Sequence, residues 1–271
     1  MSEPVESAFK ELPPLPDVAM RLIDAVNDER SGTSLIVGIL RSDAALTAEV
    51  LRRANSPLFG LSAQVASAAQ AVMLLGTDQI RHLAMTISLA DHFGSGQRSI
   101  RRLWRHAFAR ALVAERIARV CDLPPEMAYT AALLADIGVH GLLVSFPQAE
   151  QRILETAGGA GEMLAGERCE FGVDHCQAGE WLAQRWHLPG PIVAAVRGHH
   201  EGTGSGPTLA SVAGWADEAA TFLAFGFLGP AMNGAQLDRY EDLRVRVPAA
   251  AEGLPADAEE LFDWLVSQVP A

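Results

Sequence analysis

The sequence has 271 residues, of which 49% are hydrophobic, and this is sufficient for one large globular domain or two modest ones. Its 21 Lys and Arg against 33 Asp and Glu give a formal net charge of −12, which argues against a nucleic-acid backbone as partner. The arginines of RSIRRLWRHAFAR come nearest to a basic patch, but at helical spacing they spread around the helix. We therefore expect no nucleic-acid partner.

The sequence carries no evident targeting or membrane segment. The acidic stretch MSEPVESAFKE lacks the basic and apolar regions of a secretory signal. The strongest apolar run, FLAFGFLG at 222–229, is far shorter than the roughly 18 residues that cross a bilayer. Cys121, Cys169 and Cys176 are odd in number and lack CxxC spacing, which favours reduced thiols over disulfides or a zinc knuckle. These features predict a cytoplasmic protein with no membrane partner.

Apolar residues recur at intervals of three and four almost throughout, which predicts an all-α fold. Alternation with period two occurs only in LRVRV at 243–247. The first predicted helix covers 15–27, Thr33 and Asp43 are candidate N-caps of the next two, and Thr77 is the candidate cap of a helix over 77–92. A further helix is predicted over 65–75.

The segment GSGQ at 94–97 is the best internal boundary. A long helix over 99–121 follows it, and a second begins at Pro124 and Pro125 and leads to Asp136. Further helices are predicted over 139–146, 148–156, 173–187, 190–200, 208–225 and 256–269. The pattern predicts an N-terminal helical bundle over 1–96, a second bundle over 97–227 and a C-terminal extension with a closing helix over 228–271.

Several histidines and acids of the second bundle fall where helices end or turn inward. Imidazole and carboxylate are ligands for divalent Zn, Mn or Fe, and a helical bundle core is a common place for such a site. Asp136 ends the apolar run AALLAD, so its charge needs a hydrogen-bond donor, a basic side chain or a metal ion. The candidate metal ligands are His106, Asp136, His175, His199, His200 and Asp217.

Some of these candidates also have purely structural interpretations. His106 is in register with apolar residues and could hydrogen-bond a carbonyl at the edge of the core. Asp136 could accept backbone N–H groups at the start of the next helix. His199 and His200 close a helix, where a cationic imidazole is favourable, and adjacent helical positions point about 100° apart. At most one of these two is therefore expected to face inward.

The other candidates could instead lie at the surface. His175 precedes an apolar helix face, and Asp217 could be an exposed neighbour of Glu218. The remaining histidines are expected to be structural or solvent-facing: His82, His92, His140 and His187.

Five stretches together resemble bacterial HDOD proteins, relatives of the HD metal-dependent phosphohydrolases and the HD-GYP phosphodiesterases. They are ELPPLPDVAMRLI, SDAALTAEVLRRANSPLFG, AAQAVMLLGTDQIRHLAM, LLADIGVHGLL and FGVDHCQAGEWLAQRWHLPGPIVAAVRGHH. The resemblance runs from about Leu12 to Gly226. It implies an all-α fold and a signalling or regulatory role in bacteria, usually without catalysis.

The resemblance also implies a depleted metal site. Catalytic HD relatives end a helix with a His-Asp pair that helps to hold a metal with an activated water, whereas this sequence reads Ala135-Asp136. A methyl group ligates nothing, so at most a weakly bound divalent metal is expected at the six candidate residues. The segment HHEGTGSGP at 199–207, which ends the predicted helix over 190–200, also lacks the tyrosine of the Gly-Tyr-Pro loop found in HD-GYP enzymes.

These departures favour a non-catalytic regulatory module that binds a signalling protein or a small ligand. The alternative is a metal-dependent phosphohydrolase acting on a nucleotide or cyclic dinucleotide. In that alternative Arg110 and Arg197 are the candidate phosphate clamps, and both could simply face water.

Overall fold

The computed structural model describes residues 3–26, 32–55, 64–93, 98–201 and 206–221, and within these ranges the chain is helical without strands. This confirms the predicted all-α fold. The described helices are α1 (Glu3–Lys10), α2 (Asp17–Val26), α3 (Thr33–Arg41), α4 (Ala44–Ala54), α5 (Ala68–Leu75), α6 (Thr77–Phe93), α7 (Arg98–Val120), α8 (Pro125–Leu134), α9 (Ile137–Ser145), α10 (Pro147–Thr156), α11 (Ala160–Phe171), α12 (His175–Arg185), α13 (Gly190–Gly198) and α14 (Leu209–Ala220). The alternating stretch at 243–247 and the predicted C-terminal extension lie outside the described residues.

Two of the predicted helix caps have different outcomes. Asp43 caps α4, because its Oδ1 accepts the backbone N–H of Leu46 at 2.9 Å. Thr33 is the first residue of α3 rather than its cap, and the capping position is occupied by Gly32. The Thr33 hydroxyl lies 2.9 Å from that of Thr77, the first residue of α6. The prediction for Thr33 was wrong because its hydroxyl pairs with a neighbouring helix.

Two helices were not predicted from the sequence. In α1 the buried Phe9 ring lies 6.1 Å from the Trp181 ring, and Arg185 donates from Nη2 to the carbonyl of Lys10 at 2.7 Å. The second unpredicted helix, α11, begins in the glycine-rich stretch GGAG and carries the buried Glu167. Its glycines weaken the local helix signal, and packing of the buried residues outweighs that weakness.

The described residues fall into two compact units. One unit covers the described residues from 14 to 93, and the other combines residues 3–13 with the described residues from 98 to 221. Within the second unit α1 packs on α9. The predicted subdomain over 1–96 therefore differs from this division in its first 13 residues, because α1 buries its apolar residues on the second unit.

One helical stretch among the described residues, Pro125–Ser145, is long and apolar enough to cross a membrane by length and composition, with a mean hydropathy of 1.5. It contains α8 and α9, and 89% of its most apolar window is buried inside the protein. The stretch is interrupted at Asp136 between α8 and α9, so it is not one continuous apolar run. This stretch forms core helices here.

Close backbone contact between α9 and α12 positions the residues that follow. A Cβ added at Gly138 would lie 2.0 Å from the carbonyl oxygen of His175 and 2.7 Å from the backbone nitrogen of Gly179. Both distances are far below normal van der Waals contact, so only glycine fits at position 138. This contact brings the start of α9, next to Asp136, against the start of α12.

Gly138→Ala should lower the free energy of unfolding by about 1–3 kcal/mol or more, because backbone atoms must move to accept the methyl group. The control is Gly161→Ala in α11, where the added Cβ meets nothing within 4 Å. That change should raise the free energy by about 0.4–1 kcal/mol through the unfolded chain. Urea unfolding measures both. Equal effects of the two substitutions would contradict the close approach.

Candidate functional site

The six candidate residues lie together in the second unit, although they come from separate elements. They are His106 on α7, Asp136 between α8 and α9, His175 at the start of α12, His199 and His200 after α13, and Asp217 on α14. Arg110 joins Asp136 to Asp217. The four histidines contact one of these acids or stack on a neighbouring histidine ring. We call this set, together with Arg110, the polar cluster.

A buried arginine lies between the two carboxylates of the polar cluster. Nη1 of Arg110 donates to Asp136 Oδ2 at 2.6 Å and to Asp217 Oδ1 at 2.9 Å, and Nε donates to the carbonyl of Ala132 at 2.8 Å. The Arg110 side chain is 0% exposed. The expectation that Arg110 could face water was therefore wrong. The guanidinium supplies the basic partner that the buried Asp136 requires.

His106 also pairs with a carboxylate. Its Nε2 lies 2.6 Å from Asp217 Oδ1, the oxygen that Arg110 also contacts. His106 and Arg110 are four residues apart on α7, so they point to the same side of the helix. The Asp217 side chain is only 16% exposed. Asp217 is therefore not an exposed neighbour of Glu218, and the ring of His106 faces this carboxylate.

The second oxygen of Asp136 faces two histidines. His199 Nε2 lies 3.3 Å from Asp136 Oδ1, and His175 Nε2 lies 3.7 Å from the same oxygen. Within the described part of the chain neither nitrogen has a hydrogen-bond partner, although both are buried. The Asp136 side chain makes no capping bond to α9 among the described residues. The capping interpretation of Asp136 and the surface interpretation of His175 were both wrong.

The opposite ring nitrogen of each histidine is fixed. His175 Nδ1 lies 2.8 Å from Glu167 Oε2, which also accepts the backbone N–H of His175 at 2.8 Å. His199 Nδ1 donates to the carbonyl of Val196 at 2.9 Å. These contacts orient both rings so that Nε2 points toward Asp136.

His200 joins the cluster as well. Its ring centroid lies 4.1 Å from that of His199 and 5.3 Å from that of His175. The expectation that at most one of the two adjacent histidines faces inward was wrong. It assumed a continuous helix, whereas α13 ends at Gly198 and both histidines lie in the following turn.

Charges in the cluster shift the pKa values of its acids. Burial alone would raise the pKa of the Asp136 carboxyl, but Arg110 and then His199 outweigh it and hold that pKa well below its usual range. Burial also opposes ionisation of Asp217, and His106 and Arg110 lower its pKa in the same way. Both side chains are therefore carboxylates at neutral pH.

The two inward-facing histidines with shifted pKa values behave differently. Burial and then the neighbouring His199 lower the pKa of His200 to about 3. Burial would also lower the pKa of His175, but Glu167 outweighs it and raises that pKa well above the usual range. His200 is therefore neutral at pH 7, whereas His175 carries a proton in this arrangement.

A second buried acid lies behind Glu167. Glu150 on α10 is 0% exposed, and its carboxyl oxygens have no hydrogen-bond partner among the described residues. Burial and the nearby Glu167 raise the pKa of Glu150 to about 9. At neutral pH Glu150 is therefore protonated, and Glu167 is the acid whose Oε2 lies 2.8 Å from His175 Nδ1.

The two oxygens of Asp136 differ in how well their surroundings fit a metal ion. On the Oδ2 side, Arg110 already occupies the position between Asp136 and Asp217, and a cation there would displace the guanidinium. On the Oδ1 side, two buried imidazole nitrogens without partners among the described residues face the carboxylate oxygen. The donor set on the Oδ1 side fits a divalent ion, and that on the Oδ2 side does not.

Sequence reasoning missed or misplaced several residues around the cluster. Glu167 and Glu150 were not identified. Arg197, a candidate phosphate clamp, lies at the surface, where its guanidinium forms ion pairs with Glu201 and Glu180. Buried His140 places Nδ1 3.2 Å from the carbonyl oxygen of Asp136. Burial and then Arg110 lower the pKa of His140 to about 4. For Arg110 a signal was present, since it follows His106 by four residues within the apolar run of α7.

The fold and the cluster define an all-helical protein with a buried histidine and carboxylate site. Residues 12–202 match the HDOD domain family, which is well over half of the chain. The chain therefore belongs to the HDOD domain family, as its sequence motifs predicted.

Similar structures agree with this assignment. An HDOD domain protein with unknown function from Geobacter sulfurreducens has a TM-score of 0.70 and 26% identity, with 98% of this chain and 93% of that chain covered. A Marinobacter aquaeolei VT8 protein, provisionally named as a signal transduction protein, has a TM-score of 0.69 and 20% identity. The match covers 99% of this chain and 65% of that chain. The second likeness shows the fold alone.

A curated relative extends beyond the region that this chain matches. An uncharacterized protein from Treponema pallidum (strain Nichols) is 23% identical over 207 residues, which are 72% of this chain and 39% of that protein. The chain thus spans less than half the length of this relative.

Asp136→Ala should lower the free energy of unfolding by about 3 kcal/mol, because it leaves the buried Arg110 charge with Asp217 as its remaining carboxylate. The control is Glu170→Ala, which removes an exposed partner 3.6 Å from Arg152 and should cost less than about 1 kcal/mol. Chemical denaturation of both variants checks this. An Asp136→Ala variant as stable as the wild type would contradict the paired arrangement.

Glu150→Gln should stabilise the protein increasingly as pH rises from about 4.5 toward about 9. In this window the folded state keeps a proton that the unfolded chain releases, so stability of the wild type falls with rising pH. The difference between variant and wild type should grow by up to about 1.4 kcal/mol per pH unit. Unfolding at pH 5.5 and 8 measures it. Glu155→Gln, at an exposed site on the same helix, should show no such growth.

Proposed function

We propose that this chain is a non-catalytic regulatory module of the HDOD type that acts by binding a signalling protein or a small ligand. The observation that carries this proposal is the buried Arg110 guanidinium between Asp136 and Asp217. In the catalytic relatives implied by the sequence resemblance, a metal ion is held at the HD motif. Here a fixed organic cation occupies the space between the two acids.

The chemistry of an arginine differs from that of a metal ion. A metal ion with an open coordination position lowers the pKa of bound water and so generates a nucleophile. A guanidinium has only N–H donors, and its pKa is raised further by the two carboxylates after they outweigh burial. Ala135, at the position of the missing histidine, adds no ligand atom. Together these residues favour a structural role for the acids.

Burial of the cluster supports the same proposal. Asp136, His175 and His199 are all buried, and Asp217 is the most exposed acid in the cluster with 16% of its side chain accessible. A phosphoester substrate needs access to the reacting centre. We further propose a cytoplasmic location with a signalling protein as partner and without nucleic-acid or membrane binding, as the sequence predicts.

A second candidate function is a metal-dependent phosphohydrolase acting on a nucleotide or cyclic dinucleotide. The observation in its favour is the pair of imidazole nitrogens facing Asp136 Oδ1. A divalent ion on that side would supply Lewis-acid chemistry. Arg197 does not assist as a phosphate clamp, because Glu201 and Glu180 engage its guanidinium.

The two functions differ in hydrolytic activity. The full chain, supplied in turn with Mn²⁺, Fe²⁺ and Zn²⁺, is incubated with bis-p-nitrophenyl phosphate and with a cyclic dinucleotide. We expect no turnover beyond that of the Asp136→Asn variant, because no metal-bound water is correctly held. Metal-dependent turnover that disappears in a folded Asp136→Asn variant would overturn the regulatory proposal and establish the hydrolase.

A further inference from the structure

We propose that the surface of α9 and α12 on which α1 lies is a helix-binding groove, and that a basic amphipathic helix of a signalling partner binds there by displacing α1. This inference rests on the proposed regulatory function, because it names the kind of segment that the partner contributes. The partner helix carries apolar anchors with the spacing found in α1 and ends where α1 ends. In the structure α1 therefore acts as an internal ligand that occupies the groove.

The first support is a fitted pocket for an aromatic side chain. The Phe9 ring is 0% exposed and lies 6.1 Å from the Trp181 ring. A Cβ added at Gly141 of α9 would lie 2.7 Å from Phe9 Cζ and 3.0 Å from Leu182 Cδ1. The absence of a side chain at position 141 thus makes the space that the phenyl ring fills. A few large anchors in well-packed pockets carry most of the binding energy of a protein interface.

The second support is the pattern of buried residues along α1 and the turn after it. Val5, Phe9 and Leu12 are at most 7% exposed, and they are spaced as i, i+4 and i+7, which corresponds to one side of a helix. Glu6 and Lys10 form an exposed ion pair of 2.9 Å. Amphipathic helices that bind into hydrophobic grooves of other proteins use the same spacing of anchors.

The third support is that the groove recognises a helix end through its backbone. Arg185 on α12 donates from Nη1 to the carbonyl of Phe9 and from Nη2 to that of Lys10, the second at 2.7 Å. The last carbonyls of a helix have no partner within the helix, and the helix dipole favours a cation there. Because Arg185 contacts only backbone atoms of α1 in these bonds, any helix that ends at this place satisfies them.

The fourth support is a cavity that adjoins the groove at Trp181. Its volume is about 450 Å³, and its lining includes the polar side chains of Gln177, Glu180 and Gln184 on α12. A partner helix that continues past the part of the groove covered by α1 fills this cavity and gains contacts that α1 lacks. The net charge of −12 also favours the approach of a basic segment over an acidic one.

The test measures binding of two fluorescein-labelled peptides to the full chain by fluorescence anisotropy. One peptide is SEPVESAFKELP, residues 2–13 of this chain, and the other carries Glu3→Lys and Glu6→Lys. The wild type should bind both weakly, because its own α1 competes. Phe9→Asp releases α1 and should bind both about 10-fold tighter or more. The basic peptide should bind tighter than the acidic one, and added salt should reduce the difference.

Variants of the groove locate the peptide. Gly141→Ala narrows the pocket, and Arg185→Met removes the donors to the helix end. Combined with Phe9→Asp, each should weaken peptide binding about 10-fold or more. The matched control is Arg152→Met, since Arg152 is an exposed arginine on α10, and it should leave peptide binding unchanged.

Hydrogen exchange of the wild type tests displacement without any substitution. A helix of eight residues such as α1 has little stability of its own, so it should leave the groove by local opening. Its amides should exchange about 100-fold faster or more than those of the buried helix α8. If the amides of α1 exchange only together with those of α8, α1 leaves the groove only on global unfolding, which would overturn the inference.

The inference is also overturned if Phe9→Asp binds the peptides no tighter than the wild type, or if this variant loses cooperative unfolding, because α1 is then part of the core. A wild-type dimer in sedimentation that becomes a monomer in Phe9→Asp would assign the groove to α1 of a second copy and would overturn the choice of partner. Each of these results leaves the regulatory proposal standing. Phosphoester hydrolysis, in contrast, would overturn the regulatory proposal itself.

Discussion

The burial of the Arg110 charge is the constraint on which the rest of the polar cluster depends. A guanidinium with no exposed surface is tolerated only when carboxylates meet it at hydrogen-bonding distance. Asp136 and Asp217 meet this demand from the junction of α8 with α9 and from α14. The positions of these elements relative to α7 are therefore fixed by electrostatics as well as by apolar packing.

Asp136 links this constraint to the candidate function, because its two oxygens have different partners. Oδ2 belongs to the arginine pair, and Oδ1 faces the nitrogens of His175 and His199. The charge of Asp136 is therefore neutralised by Arg110 at Oδ2, whereas the two Nε2 atoms that face Oδ1 have no hydrogen-bond partner among the described residues. This division underlies our proposal that the chain, which keeps most ligand residues of the HD site implied by its motifs, acts in regulation rather than in hydrolysis.

The sequence predicted the fold class and brought forward the six residues that the structure places together. Helical periodicity predicts helices well, and histidines or acids at the ends of apolar helices are conspicuous. The burial of Arg110 was missed because an arginine among other arginines on a long helix resembles a solvated one. Glu167 was missed because the glycines of α11 obscured that helix, and His200 because the end of α13 changed its direction.

A double-mutant cycle between Arg110 and Asp136 tests the central claim most directly. Arg110→Met, Asp136→Leu and the double variant are compared with the wild type by chemical denaturation. Each single variant should lose about 3 kcal/mol, because it removes one partner of a buried ion pair and leaves the other charge only partly compensated. The double variant should recover much of this loss, with a coupling energy of at least about 2 kcal/mol. Additive losses would show that the two charges do not depend on each other and would contradict the account.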